Sequence, residues 1–274
     1  MRSQFLIRTL TASVLVGVFV GALFAPERGV FVALTVLLVA GAAYEWARLC
    51  RLPPPRAGLY TLSCVVAFGF PMLGLLSAEN AGRLQQMAFG VASVFWIFLS
   101  PLMLGMRWDR RTAFLPGLGI LVIVPAAMAL LAIPPGLLVA ALMIAWVSDT
   151  GAYLGGRAFG RRKLAPAISP GKTWEGAICG LGCVLIYAII YQLVVPDTGE
   201  RLLYGGWAVY LSAAALLCSA GVVGDLLESA MKRQAGVKDS GSILPGHGGI
   251  LDRIDSATAI LPVTAFLLQW AGPG

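Results

Sequence analysis

Residues 114–133 read FLPGLGILVIVPAAMALLAI, a run without one charged side chain. A helix needs about 20 predominantly apolar residues to cross the hydrocarbon core of a bilayer, so this stretch predicts a transmembrane helix. The composition of the whole chain agrees, because 58% of the 274 residues are hydrophobic, only 12% are charged, and the mean hydropathy is +0.84. Soluble domains carry roughly 25% charged residues. The sequence therefore predicts an integral membrane protein.

Further apolar runs flank this one and bring the prediction to about nine spans. The runs lie at residues 6–24, 30–47, 59–77, 86–106, 114–133, 136–153, 174–195, 207–231 and 257–271. Divided among so many spans, the chain supplies a single all-α polytopic transmembrane bundle rather than separable domains. The first run follows two arginines, as in a signal peptide, but it is longer than a usual signal core and a poor cleavage site follows it. We expect it to be retained.

Basic residues are distributed unevenly between the two ends of these runs. If the N-terminus is cytoplasmic and the sides alternate, only Arg28, Arg83 and Arg201 of the 20 lysines and arginines fall outside. Cytoplasmic loops carry an excess of lysine and arginine, so the asymmetry predicts a cytoplasmic N-terminus and an odd number of spans. The net charge of +7 then lies on one face. Anionic headgroups or phosphates are the expected partners of that face, and nucleic acid is not.

The acids divide the chain into two parts. Residues 1–141 form apolar N-terminal transmembrane helices, whereas residues 142–274 form the expected catalytic region with a cytoplasm-facing polar site. Ionisable groups at membrane depth are expensive and by default mark a functional site. The second part offers six such candidates: Asp149, Glu175, Asp225, Glu228, Asp252 and Asp255. The alternative is that several of them pair with local arginines at helix ends.

The spacing of these acids predicts two carboxylate faces. Residues three and four apart share a helix face, which groups Asp225, Glu228, Ser229 and Lys232. Asp252 and Asp255 point the same way if a helix begins there. Two such faces could hold a hard divalent cation such as Mg²⁺, which takes oxygen ligands, while neighbouring bases neutralise phosphates. Those bases are Lys232, Arg233, Lys238 and Arg253. An ion-pair network that only stabilises the bundle is the alternative.

Two connections have the composition of phosphate-binding loops. Residues 236–249 are rich in glycine, which allows sharp turns, closure over a ligand and backbone amides that face an anion. The chain's one histidine, His247, is a proton donor, a phosphate contact or a turn residue. Ser169, Lys172 and Thr173 surround a predicted helix N-terminus, whose amides and dipole favour anions, although an ordinary N-cap is the alternative. The GKT tripeptide there lacks the glycine spacing and preceding strand of a P-loop.

The five cysteines lie in or beside apolar runs. Cys179 and Cys183 are four residues apart on one helix face, which is a spacing that a metal pair could use. Neither histidine nor another cysteine lies nearby to complete a tetrahedral site. We therefore expect these cysteines to be small packing residues.

Residues 229–256, SAMKRQAGVKDSGSILPGHGGILDRIDS, resemble the signature of the phosphatidate cytidylyltransferases, also called CDP-diacylglycerol synthases. The shared pattern is serine, two residues, lysine-arginine, then lysine-aspartate, histidine-glycine-glycine and aspartate-arginine-x-aspartate. Residues 148–176, SDTGAYLGGRAFGRRKLAPAISPGKTWEG, resemble the upstream segment of the family. One departure is Gly171, where the family commonly has lysine, but Lys172 and Thr173 remain.

The resemblance implies a dimeric, all-helical enzyme of the bacterial inner membrane that joins CTP and phosphatidate to give CDP-diacylglycerol and pyrophosphate. It implies that Asp225, Lys232 and Asp252 are catalytic, and that Asp225 and Asp252, helped by Asp255, bind Mg²⁺ with room for a second cation such as K⁺. The substrate-binding candidates are Ser169, Lys172, Thr173, Ser229, Arg233, Lys238, His247 and Arg253. The rival functions are a CTP-dependent lipid kinase, a transferase for another lipid phosphate and an ion-coupled transporter.

Overall fold

The computed structural model describes residues 2–105, 114–195 and 205–270, with side chains from residue 9 to residue 269. Its helices are α1 (Arg2–Leu23), α2 (Arg28–Leu49), α3 (Pro54–Gly69), α4 (Ala78–Val94), α5 (Ser100–Leu104), α6 (Leu115–Ala132), α7 (Pro135–Phe159), α8 (Trp174–Val194), α9 (Gly206–Ala235) and α10 (Leu251–Trp270). A 3₁₀ turn, Phe70–Met72, follows α3, and a π-helical turn, Phe95–Leu99, joins α4 to α5. Two short antiparallel strands, β1 (Lys163–Ala165) and β2 (Ser169–Thr173), form a hairpin between α7 and α8. The helical prediction is confirmed, and the hairpin is an addition to it.

Six stretches of the described chain are long and apolar enough to cross a membrane. They are α2, Ala78–Leu104, α6, α7, α8 and α9. Among the other predicted spans, α3 is only 16 residues long, and α10 carries three charged residues in its first five. The count of about nine spans and the cytoplasmic N-terminus stay predictions. Four of the basic residues in the orientation argument lie outside the described residues: Arg107, Arg110, Arg111 and Arg201.

The last helix, α10, lies at the centre of the bundle. It packs against α9, α6, α4 and α7, and Ala259, Ile260 and Val263 in its middle are at most 1% exposed. Its neighbours approach closely because glycines face it. A Cβ at Gly224 of α9 would meet the backbone oxygen of Asp255 at 2.7 Å. The central position of α10 carries the charged residues of its first turns into the interior.

Helices α7 and α8 pack along each other through small residues. A Cβ at Gly151 would meet Cys183 Sγ at 2.8 Å, and a Cβ at Gly155 would overlap the Cβ and Sγ of Cys179. Small residues let helix backbones approach closely, which is a common way for membrane helices to associate. All five cysteines are free thiols. The prediction that Cys179 and Cys183 are packing residues is confirmed.

Gly155→Ala is expected to destabilise the protein because the new Cβ would overlap Cys179 Cβ, which cannot rotate away. Overpacking of this kind costs about 1–3 kcal/mol. Gly182→Ala in α8 is the matched control, since a Cβ there meets nothing within 4 Å. Alanine at an unhindered helical position stabilises by roughly 0.5–1 kcal/mol. Thermal unfolding in detergent should show a lower Tm for Gly155→Ala only, and equal Tm values for both variants would contradict this packing account.

Candidate active site

Four elements bring their charged residues together at one end of the bundle. Asp149 lies in α7, Lys172 in β2, Asp225 in α9 and Asp255 in α10. Lys172 Nζ lies 2.5 Å from Asp225 Oδ2, and this ion pair ties the hairpin to α9. The carboxyl groups of Asp149, Asp225 and Asp255 lie close enough to repel one another. Lys172 is the ion-pair partner of Asp225, and the neighbouring Asp149 and Asp255 add two further carboxyl groups to the site.

Lys232 forms the second centre of charge. Its Nζ forms an ion pair with Glu228, one turn earlier in α9, and donates to Asp252 Oδ1 of α10 at 2.7 Å. The three side chains are nearly buried, with 12% of Lys232, 4% of Glu228 and 6% of Asp252 exposed. On the same face of α9, Ser229 Oγ donates to Asp225 Oδ1 at 3.3 Å. The predicted polar face of α9 and its meeting with the start of α10 are confirmed.

Both carboxylate oxygens of Asp252 accept hydrogen bonds, and Lys232 is the donor to Oδ1. Its Oδ2 accepts hydrogen bonds from Ser240 N at 2.9 Å, Ser240 Oγ at 3.0 Å and Gly249 N at 2.8 Å. Asp252 lies in the first turn of α10, before the helix becomes apolar. Burial opposes its ionisation, but the hydrogen bonds from Lys232 and from the Gly249 and Ser240 amides outweigh burial and hold the pKa of Asp252 below its ordinary value. This carboxylate is therefore ionised and fixed in orientation.

A buried glutamate of α2, Glu45, organises the loop between α9 and α10. Glu45 is 1% exposed, and its carboxylate accepts from Ser240 Oγ, Ile250 N and Leu251 N at 3.0, 3.0 and 2.9 Å. The last two amides belong to the N-terminus of α10, where a carboxylate is favoured by unpaired N–H groups and the helix dipole. Sequence reasoning missed this residue. An acid inside the apolar run at 30–47 was the available signal.

The hairpin presents Lys172 to the site. Thr173 Oγ1 accepts from Gly176 N at 3.1 Å and so caps α8, which confirms the ordinary N-cap alternative for this residue. The carboxylate of Glu175 accepts hydrogen bonds from the backbone amides of Arg161 and Arg162 at 3.0 and 3.1 Å. These bonds hold the segment that leads into β1. The GKT tripeptide lies in a strand rather than in a loop, in agreement with the rejection of a P-loop.

The remaining predicted site residues lie around this cluster. Arg233 Nε donates to Ile168 O of the hairpin at 3.3 Å, and Arg253 Nε donates to His247 O at 3.1 Å. His247 Nδ1 is buried without a hydrogen-bond partner among the described residues. Two further predicted residues are Lys238, which is exposed, and Ser169, which is half-buried in β2. The structure thus brings Lys172, Asp225, Ser229, Lys232 and Asp252 together and leaves the others at the margin.

The predicted metal ligands are paired with donors of the protein itself. Asp225 contacts Lys172 and Ser229, Asp252 contacts Lys232, and Asp255 Oδ1 accepts from the adjacent Ser256 N at 2.7 Å. No group of three or more histidine, cysteine or acidic side chains suited to a metal ion occurs within 2–105, 114–195 and 205–270. Mg²⁺ usually needs only one or two carboxylates and takes its other oxygens from water and phosphate. The oxygen-only donor set therefore fits a hard cation that keeps part of its water.

Comparison with known proteins identifies the family of this chain. The model of a family described as the cytidylyltransferase family matches residues 6–271. The chain belongs to the cytidylyltransferase family. Among relatives in this family, the phosphatidate cytidylyltransferase of Pseudomonas aeruginosa is 38% identical over 97% of this chain and 98% of its own. That of Haemophilus influenzae is 35% identical over 94% and 96%. The Staphylococcus aureus enzyme of the same name is 49% identical over 47% of each chain.

Lys232→Met is expected to destabilise this family member strongly, because Glu228 and Asp252 would lose the ammonium between them. Removal of one partner from a buried ion pair costs about 3–5 kcal/mol. Adding Glu228→Gln should recover part of the lost Tm, since the amide carries no charge. Arg83→Met is the control, because Arg83 and Glu79 form an exposed pair, 65% and 72% accessible. A double variant no more stable than Lys232→Met would show that Lys232 does not neutralise Glu228.

Proposed function

We propose that the protein transfers the cytidylyl group of CTP to phosphatidate, giving CDP-diacylglycerol and pyrophosphate. The names of two relatives that match over nearly the whole chain support this reaction. The observation that carries the proposal is the cluster of Lys172, Asp225, Lys232 and Asp252, in which each lysine is ion-paired with a carboxylate. Lysines so placed can change partners from carboxylate to phosphate when a polyanionic substrate enters.

The chemistry requires alignment more than acid–base catalysis. A phosphate oxygen of phosphatidate attacks the α-phosphorus of CTP, a new O–P bond forms, and the bond to the β-phosphate breaks with pyrophosphate as leaving group. The nucleophile is already anionic near neutral pH, so no strong base is needed. Two polyanions must instead be held in line against their repulsion, and the charge on the leaving group must be stabilised. Lys172 and Lys232 supply fixed positive charge for both purposes.

We also propose that Mg²⁺ supports the reaction. Asp225 and Asp252, helped by Asp255, would hold the ion, and a second cation such as K⁺ would bind beside them. When bound, Mg²⁺ would neutralise the charge that develops on CTP oxygens. Carboxylate oxygens are the ligands that such a hard cation prefers. Lys172 and Lys232 would be released from their present partners toward the phosphates.

The membrane arrangement belongs to the same proposal. We infer about nine spans, a cytoplasmic N-terminus and a site that opens to the cytoplasm of a bacterial inner-membrane protein, because most of the lysines and arginines then lie inside. CTP would enter from the cytoplasm while the diacyl tails of phosphatidate stay in lipid. We also infer that the protein forms a homodimer. A transporter is less suited to these observations, since the acids and lysines are grouped around the hairpin, the C-terminal part of α9 and the start of α10.

Radioactive CTP separates transfer of the cytidylyl group from transfer of the terminal phosphate. With phosphatidate and purified protein in detergent, label in the α-phosphate should enter the lipid fraction, and label in the γ-phosphate should appear in pyrophosphate. A lipid kinase would instead place the γ-label in the lipid. Replacing phosphatidate by another lipid phosphate tests the acceptor. Lipid that gains only the γ-label, or no label, would contradict the proposed function.

Chelation by EDTA is expected to stop the reaction, and added Mg²⁺ should restore it in the wild type. Asp225→Asn and Asp252→Asn should lower kcat/KM by about 100-fold or more, because each variant loses a carboxylate that would hold Mg²⁺ and with it positive charge that would stabilise the leaving group. Glu79→Gln, which removes an exposed carboxylate, should leave turnover unchanged. Activity indifferent to EDTA would count against a metal. Near-normal turnover by a folded Asn variant would remove that aspartate from the assignment.

A further inference from the structure

A cavity of about 400 Å³ lies between the C-terminal ends of α2 and α9, beside the loop at residues 237–242. Its walls include Arg48 and Arg51 from α2 and the segment after it, and Asp239, Ser240 and Gly241 from the loop. Pockets for small ligands usually have volumes of about 300–1,000 Å³. The cavity is thus large enough for a phosphate group with part of the molecule that carries it. None of the residues proposed above to bind substrate lines this cavity.

Arg51 occupies a backbone position that normally belongs to glycine. Helix α2 ends with Leu52 N donating to Ala47 O at 3.0 Å and Arg51 N donating to Arg48 O at 2.9 Å. This pattern requires a left-handed residue after the helix, where glycine is favoured. Arg51 has φ +56°, the single positive φ of a non-glycine residue in the described parts of the chain. Backbone strain of this kind concentrates at functional sites, which indicates a use for the arginine side chain.

The guanidinium of Arg51 is held in place and still has donors to offer. One of its terminal nitrogens donates to Ala235 O, at the end of α9, at 3.0 Å. A guanidinium carries five N–H donors in a planar fork, so this bond leaves capacity for a ligand. Arg48 adds a second guanidinium to the same cavity, against one carboxylate from Asp239. The excess of positive charge and the fork geometry match a phosphate group.

Ser240 connects this cavity with the active site. It lines the cavity, and its amide and hydroxyl donate to Asp252 at 2.9 and 3.0 Å. A group bound between Arg48 and Arg51 would therefore lie one side chain away from Asp252. One substrate could therefore be anchored in the cavity while another part of the same molecule reaches the reacting centre.

We propose that the cavity binds a phosphate group of one of the two substrates through Arg48 and Arg51. The inference rests on the proposed function for the identity of those substrates. The phosphate comes either from the triphosphate of CTP or from the phosphomonoester of phosphatidate. Both sources present the same chemistry to the two guanidinium groups, and direct binding measurements separate them.

The test measures binding rather than turnover. Titration calorimetry in detergent with Mg²⁺ gives the Kd for CTP and, separately, for dihexanoyl phosphatidate. The variants are Arg48→Gln and Arg51→Gly, with Arg56→Gln as control, because Arg56 is exposed in the first turn of α3 and does not line the cavity. Each cavity variant should weaken one of the two ligands by about tenfold or more, the usual effect of losing a charged hydrogen bond. Arg56→Gln should change neither Kd.

Measurements of Tm separate a role of the two arginines in ligand binding from a merely structural role. Arg51→Gly should leave Tm nearly unchanged, because relief of the backbone strain at φ +56° offsets the loss of the hydrogen bond to Ala235 O. Weaker CTP binding assigns the cavity to the nucleotide, and weaker phosphatidate binding assigns it to the lipid headgroup. Unchanged Kd values in both cavity variants, or no binding of either ligand to the wild type, would overturn the inference. Intact, arginine-dependent binding without CDP-diacylglycerol formation would instead refute the proposed function alone.

Discussion

The buried carboxylate of Glu45 is the constraint on which the site depends. A charge removed from water is costly unless hydrogen bonds replace its hydration, and Glu45 finds them in Ser240 and in the first amides of α10. Ser240 Oγ also lies 3.0 Å from Asp252 Oδ2, and the two carboxylates share its one proton, so one loop residue joins α2 to the start of α10. Glycines make this approach possible, because a Cβ at Gly249 would overlap both Ser240 and Glu45. The loop between α9 and α10 is thereby fixed to the first half of the chain.

Once that loop is fixed, the arrangement of charge follows. Asp252 is oriented by Ser240 and Gly249, and it faces Lys232, which Glu228 holds from one turn earlier in α9. A second lysine, Lys172, reaches Asp225 from the hairpin. Each ammonium is paired with a carboxylate that a polyphosphate can replace. In a protein built almost wholly from apolar helices, the lysines and carboxylates of this site are thus paired with one another. This arrangement suits two phosphate-bearing substrates.

The sequence predicted those parts of the site that depend on local periodicity. The spacing of Asp225, Glu228, Ser229 and Lys232 determines one helix face, and the structure confirms it in the contacts of that face. The start of α10 beside Asp252 and the packing role of the cysteines followed from similarly local arguments. The hairpin was not predicted, because its strands are short and surrounded by basic residues that resemble a membrane anchor.

Contacts between distant segments lay beyond such reasoning. Glu45 and Ser240 are 195 residues apart, and no spacing rule connects them. The pairing of Lys172 with Asp225 depends in the same way on how α8 and α9 pack. The sequence also did not predict that α10 lies at the centre of the bundle. Its first turn is charged, and such a helix is expected at the edge of a membrane bundle rather than in its core. Tertiary packing, not propensity, decides these features.

The central claim is that the lysines of this cluster receive the phosphates of the nucleotide. A structure of the wild-type protein with Mg²⁺ and α,β-methylene CTP, which cannot transfer its cytidylyl group, tests it most directly. We expect phosphate oxygens within hydrogen-bond distance of Lys172 Nζ or Lys232 Nζ, with the present lysine–carboxylate pairs rearranged. Nucleotide bound elsewhere, with both lysines still paired to Asp225 and Asp252, would contradict it.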